Sequence, residues 1–149
     1  MSTGIHLAGV DDADRVMSLM QRHHEERALP HDDTHRAHVA APLLEGSPLG
    51  AIWLIGPQRA PLGYVMISFG WSAELGGMIG WVEEIFVRAS VRRRGIGTEV
   101  LHAVSVALRK ADLRALHMRL SPADDAMARF CTRAGFQQGE ALQLMTDRL

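Results

Sequence analysis

Residues 82–101 read VEEIFVRASVRRRGIGTEVL. An apolar run closes at Val87. Arg92, Arg93 and Arg94 then crowd a turn that carries Gly95 and Gly97, and from Ile96 the apolar residues recur at helical spacing. The first amides of a helix have no partner inside the helix, and the helix dipole favours an anion beside them. A glycine turn lets a ligand come close to that backbone. Strand, arginine-glycine turn and helix in this order describe a phosphate cradle built from Arg92, Arg93, Arg94, Gly95, Ile96, Gly97 and Thr98. The arginines add charge-assisted contacts. The P-loop is excluded because Gly97 is followed by Thr98 and Glu99 rather than Lys-Ser or Lys-Thr. The dinucleotide fingerprint is excluded because Val100 stands where its third small residue belongs. The alternative reading of the turn is a solvated arginine cluster that starts a helix.

Working outward, the three runs at residues 51–56, 63–71 and 78–87 are apolar, closely spaced and joined by turns, so they read as antiparallel neighbours. Before them lie a short strand at residues 5–10 and two helices. The first is capped at Asp11 or Asp12 and the second near Asp32 or Asp33. After them come a helix over 96–110 with Val100, Val104 and Leu108 on one face, and a strand at 114–120. A helix closed by Gly135 and a last strand at 141–149 complete the chain. The order β-α-α-β-β-β-α-β-α-β predicts an α+β fold with helices on both faces of a mixed, mostly antiparallel sheet. No repeat or linker divides residues 1–149, so a single domain is expected.

The 149 residues are 47% hydrophobic and 22% charged, with a net charge of -1, values ordinary for a soluble globular protein. That charge speaks against a nucleic-acid-binding module. Cys131 is the single cysteine, which suits a reducing compartment. Acids stand where a signal peptide would be apolar, and no apolar run is long enough to span a bilayer, so a cytoplasmic protein without a membrane partner is expected.

The stretch 82–101 resembles the central motif of the GNAT superfamily of acyl-CoA-dependent N-acetyltransferases: Arg or Gln, two residues, Gly, one residue, then Gly or Ala. Arg92, Gly95 and Gly97 fit it. DDAMARFCTRAGF at 124–136 resembles the second motif, with Asp124 in place of Asn, Cys131 in place of Tyr, and Gly135-Phe136 intact. SFGWSAELGGMIGWVEEIFV at 68–87 is similar to the third and fourth strands of small bacterial members. The resemblance implies that the amides of the glycine turn hold the pyrophosphate of acetyl-CoA. It implies that the backbone of Ile85, Phe86 and Val87 bonds the pantetheine arm, with Asp124 beside it. A homodimer and a small-molecule amine acceptor follow from the same resemblance.

Strict alternation along residues 81–87 puts Trp81, Glu83, Ile85 and Val87 on one face and Val82, Glu84 and Phe86 on the other. Both glutamates then sit among apolar neighbours, where desolvation raises a carboxyl pKa towards that of a general base. A base is needed because a free alkylamine is mostly protonated at neutral pH. A backbone N–H of the strand can meet the oxyanion. By resemblance Glu83 is the base, with Glu84 in reserve. The alternative is an ion pair with Arg88 or Arg119. Cys131 stands where relatives carry the tyrosine that protonates the departing sulfur, and its alternative role is a small buried filler. Tyr64, the only tyrosine, lies on the wrong strand for that proton.

RHHEERALPHDDTHRAH at 22–38 holds five of the eight histidines. Without HExxH or a cysteine pair, a solvated polar face is favoured over a metal site. In the superfamily this region walls the acceptor pocket, which implicates Glu26, with Trp71 and Glu74 opposite. Two other functions stay open at this level: an acyl-CoA-binding sensor without catalysis, and transfer to a peptide amine.

Overall fold

The computed structural model describes residues 3–149. Five strands form one sheet in the order β1 (Ile5–Leu7), β2 (Gly50–Ile55), β3 (Gly63–Ser72), β4 (Gly77–Val87) and β5 (Ala115–Met118). All neighbours are antiparallel except β4 and β5, which run parallel. A parallel pair needs a crossover, and helix α3 (Ile96–Lys110) supplies it.

Helices α1 (Ala13–Glu26) and α2 (Asp33–Leu44) cover one face, with Val16, Leu19 and Met20 buried against Ile52, Leu54, Tyr64, Met66 and Phe86. Asp32 caps α2 by accepting from the His35 amide at 2.8 Å. Helix α3 covers the other face, with Val100, Leu101, Val104 and Leu108 buried against Ile55, Val65, Ile67 and Val82. Each such aliphatic side chain contributes about 1.5–3 kcal/mol when fully buried. Helix α4 (Asp125–Arg133) packs beside α3, and Phe130 joins that second core. Among the described residues no helix is long and apolar enough to cross a membrane.

Two expectations fail. Residues 137–149 form no strand, and Leu142, Leu144 and Met145 are exposed there. A strand is stabilised by the neighbour it pairs with, and no sheet edge pairs with this segment. The apolar residues also fall in adjacent pairs rather than alternating, which gives the segment no single face to bury.

The second correction concerns β4. Met66 pairs with Glu84, but the next residue, Ile67, pairs with Val82. Glu83 is left over as a β-bulge. One extra residue reverses the alternation beyond it. Val82 therefore shares the α3 face with Ile85 and Val87, while Phe86 faces α1.

β3 and β4 approach closely at Gly63, where a Cβ would run into the carbonyl of Phe86. Gly63→Ala is expected to destabilise the protein by about 3 kcal/mol, the upper end of overpacking costs, because the obstacle is backbone. Urea unfolding at unchanged m measures it.

Candidate active site

β4 has a strand on both sides only along Ile79–Val82, where it pairs with β5. Beyond that, 83–87 keep β3 on one side and have no strand on the other. The sheet opens into a cleft at the bulge. Glu83 sits at its mouth, and one edge of the strand carrying Ile85, Phe86 and Val87 borders it.

At the far end of that edge the chain makes a short 3-10 turn over Ala89–Val91 and then the glycine turn. Arg93 and Gly95 both take left-handed backbone, at φ 64° and 75°. Gly95 is the N-cap of α3, and no side chain caps the helix. A Cβ on Gly95 would meet nothing within 4 Å. The first amides of α3 thus lack a side-chain acceptor and have open space beside their cap residue, which fits an anionic group. Gly97 is small for another reason: a Cβ there would stand 2.9 Å from the Phe130 ring of α4. Arg93 and Arg94 are exposed, Ile96 is buried, and Thr98 is half-buried.

Arg92 is engaged within the protein. Its Nε donates to the Val87 carbonyl at 2.7 Å, and its two Nη atoms grip the Glu26 carboxylate at 2.6 and 2.7 Å. It also lies over the Phe86 ring at 5.4 Å. The hydrogen bond from Arg92 holds the Glu26 carboxyl below its usual range. Glu26, expected on the acceptor wall, ties the end of α1 to the arginine turn.

The two glutamates differ. Glu84 faces α1 and is saturated. It accepts from Tyr64 Oη at 3.0 Å and from His24 Nε2 at 2.8 Å. A carboxylate only accepts, so His24 carries its proton on Nε2, and Nδ1 is left to accept from Arg36 Nη1 at 3.4 Å. Arg36, buried, also donates to the His31 carbonyl and to Asp33. Burial, with Glu84 beside it, pushes the Tyr64 hydroxyl well above its ordinary pKa. Glu83 by contrast is exposed, with one contact, Arg119 Nη1 at 3.3 Å. The expectation that Glu83 lies among apolar groups is corrected, because the bulge turns it outward to the cleft.

Cys131 is buried, with Sγ 3.3 Å from Met118 Sδ on β5. Burial and then nearby Asp124 raise its thiol pKa. Asp124 caps α4 by accepting from the Met127 amide at 3.1 Å. Trp71 and Glu74 are exposed at the tip of the β3–β4 hairpin. Trp71 pairs with Met78, five residues or about 17 Å along β4 from Glu83, so the chain's own fold does not bring them to the cleft. The network of His24, Tyr64 and Arg36, and the stacking of Trp81 with His117, escaped the sequence reading, whereas the ion pair of a β4 glutamate with Arg119, its alternative to a base, is present at Glu83.

Two shallow depressions lie elsewhere. One, of about 700 Å³, is lined by α1 and α2 residues including Asp14, Gln21 and Asp33. The other, of about 340 Å³, is lined by residues including Arg15, Arg59 and Arg88. Neither touches Glu83 or the glycine turn. Among the described residues no group of three or more His, Cys, Asp or Glu is arranged to hold a metal.

Residues 14–136 match the acetyltransferase (GNAT) family, and the chain belongs to it. It is an acyl-CoA-dependent N-acetyltransferase, with acetyl-CoA as the co-substrate its family implies. No curated protein matches the chain. Among solved structures, an integron cassette protein from the mobile metagenome of Cole Harbour Salt Marsh is 28% identical over 97% of this chain and 90% of its own, with a TM-score of 0.84. The aminoglycoside acetyltransferase AAC(6')-Iy, bound to a bisubstrate analogue joining CoA and acetylneamine, is 16% identical over all of both chains, with a TM-score of 0.83. An aminoglycoside acetyltransferase from an uncultured soil metagenomic sample, meta-AAC0020 bound to trehalose, is 12% identical over 99% of this chain and 96% of its own, with a TM-score of 0.83. At these last two identities the likeness is one of fold.

His23 packs against Phe86 and Tyr64 with ring centroids 5.5 and 6.1 Å away, and burial lowers its pKa from 6.5. A histidine whose folded pKa is depressed favours folding fully above the unfolded value. It loses that contribution as pH falls below about 6.5 towards its folded pKa. The midpoint of thermal unfolding is expected to drop between pH 7 and pH 5.5, and His23→Gln to flatten that drop. An equal slope in both proteins would refute the assignment.

Proposed function

We propose that the protein moves the acetyl group of acetyl-CoA to a primary amine of a small, amine-bearing acceptor by direct attack in a ternary complex, with Glu83 as general base. The observation that carries this reading is the bulge. It leaves Glu83 at the mouth of the cleft with one weak partner, while both oxygens of Glu84 are consumed by Tyr64 and His24.

The chain's own groups divide the work. The amides at Gly95–Thr98 bind the diphosphate, and the free edge of 85–87 bonds the extended arm. Arg93 and Arg94, exposed beside the turn, add charge, while Arg92 holds the turn against α1 through Glu26. Glu83, directly or through water, takes the proton from the acceptor's ammonium so that the amine can attack the thioester carbonyl carbon. A carbon–nitrogen bond forms and the carbon–sulfur bond breaks; CoA leaves with its electron pair on sulfur, and the second proton lost by the attacking nitrogen passes through solvent to that thiolate, giving amide and free thiol. Cys131 is assigned to packing, since its thiol lies against Met118 and is buried. Asp124 is assigned to capping α4. The structural neighbours named for aminoglycosides support an acceptor with several amines.

Release of free thiol from acetyl-CoA with a panel of polyamines and aminoglycosides tests this reading, and no release with any of these amines would overturn the acceptor class. Glu83→Gln is expected to lower kcat about 10²- to 10⁴-fold with acetyl-CoA affinity unchanged, the range for a lost general base. Cys131→Ala is expected to keep most of the activity, and a hundredfold loss in kcat would reinstate it as the acid. Gly95→Ala is expected to destabilise the turn by about 1–2 kcal/mol, because its φ is positive, and to weaken acetyl-CoA binding in calorimetry.

A further inference from the structure

Trp81, His117 and Arg119 lie on the sheet face that carries α1 and α2, on the open side of the cleft. Trp81 pairs with His117 across the parallel strands, with ring centroids 4.7 Å apart. The Arg119 guanidinium carbon stands 3.9 Å above the Trp81 ring, and Nη1 lies 3.3 Å from Glu83 Oε2. An indole face next to a carboxylate is a cation-binding arrangement. The ring quadrupole and the carboxylate attract the same charge, and neither satisfies the other.

We propose that this pair is the ammonium subsite of the acceptor, and that Arg119 is an internal stand-in which fills it until the amine arrives and displaces it. The inference rests on the reading of Glu83 as the base. Several features of the pair make displacement easy. The Arg119 side chain is 55% exposed, so it can swing into water. Its contact with Glu83 is long and uses one nitrogen rather than a fork. Exposed ion pairs and exposed cation–π contacts are each weak, so together they handicap a competing cation by about three- to thirtyfold. The gate keeps the Glu83 carboxylate paired while the acceptor is absent, and it favours acceptors whose second or third positive charge gains a place as the arginine leaves. Arg119 is thus a specificity-determining residue acting by competition.

The test does not depend on knowing the acceptor. The Trp81 indole N–H signal, assigned with Trp81→Phe, is followed by 15N NMR while n-butylammonium chloride and, separately, guanidinium chloride are titrated at constant ionic strength. Arg119→Met and Arg119→Gln are compared with the wild type; both remove the charge at an exposed position and so spare the fold. Both variants are expected to bind both cations about three- to thirtyfold more tightly than the wild type, and Glu83→Gln added to Arg119→Met is expected to abolish the gain. Equal or weaker binding in the variants overturns the proposal, as does a Trp81 signal that never saturates. Thiol release by Glu83→Gln alone reads the underlying assignment separately. If that enzyme stays active while the cation competition holds, the base is wrong and the gate stands. If it is dead and the competition is absent, the gate is wrong and the base stands.

Discussion

The structure depends on where β4 loses its partner. Parallel pairing with β5 ends at Val82, and the next residue is the bulge. A central strand normally spends its N–H and C=O groups on both neighbours. Here 83–87 keep β3 on one side and leave the other side to a ligand or to water. Leaving this side of β4 unpaired costs ladder hydrogen bonds, and packing compensates. The α3/α4 layer spans the opening, gathering Ile85 and Val87 of β4 in one cluster with Leu116 and Met118 of β5, while the α1/α2 layer packs on β2, β3 and Phe86 of β4.

The bulge then sorts two adjacent carboxylates. Without it, Glu83 and Glu84 would point to opposite faces, each against a helix layer. With it, Glu84 enters a network of Tyr64, His24 and Arg36 that satisfies both of its oxygens, and Glu83 is turned into the gap. Buried polar groups of this kind are tolerated because nearly every donor and acceptor finds a partner. The network fixes the end of α1 relative to β4, and Arg92 fixes it again through Glu26. Helix α1 is therefore tied to both β4 and the glycine turn.

The family motif takes a double meaning from these contacts. Gly95 faces open space, and its left-handed backbone leaves the first amides of α3 without a side-chain cap. Gly97 serves the packing side, because the Phe130 ring occupies the place of a side chain. Arg92 carries the first letter of the motif, yet its nitrogens bind Glu26 and the Val87 carbonyl. Where the family has Asn and Tyr, Asp124 caps α4 and faces Arg27 at the end of α1 at 3.9 Å, and Cys131 packs on Met118.

Local chemistry was legible from the residues. The helix caps at Asp32 and Gly95, the apolar face of α3, the alternation of β5 and the strand-turn-helix order of 82–101 are all set by neighbours within a few positions, and periodicity reports them directly. The bulge at Glu83 was not legible, because one surplus residue in a strand changes no local propensity and is defined only by the register of β3 opposite. The same holds for Glu26 meeting Arg92 across 66 positions, for His24 meeting Glu84 across 60, and for the failure of 141–149 to become a strand. Such contacts are properties of the assembled sheet. Which carboxylate is held within the fold, and which stands open to solvent, was decided only when tertiary packing fixed the register between two strands.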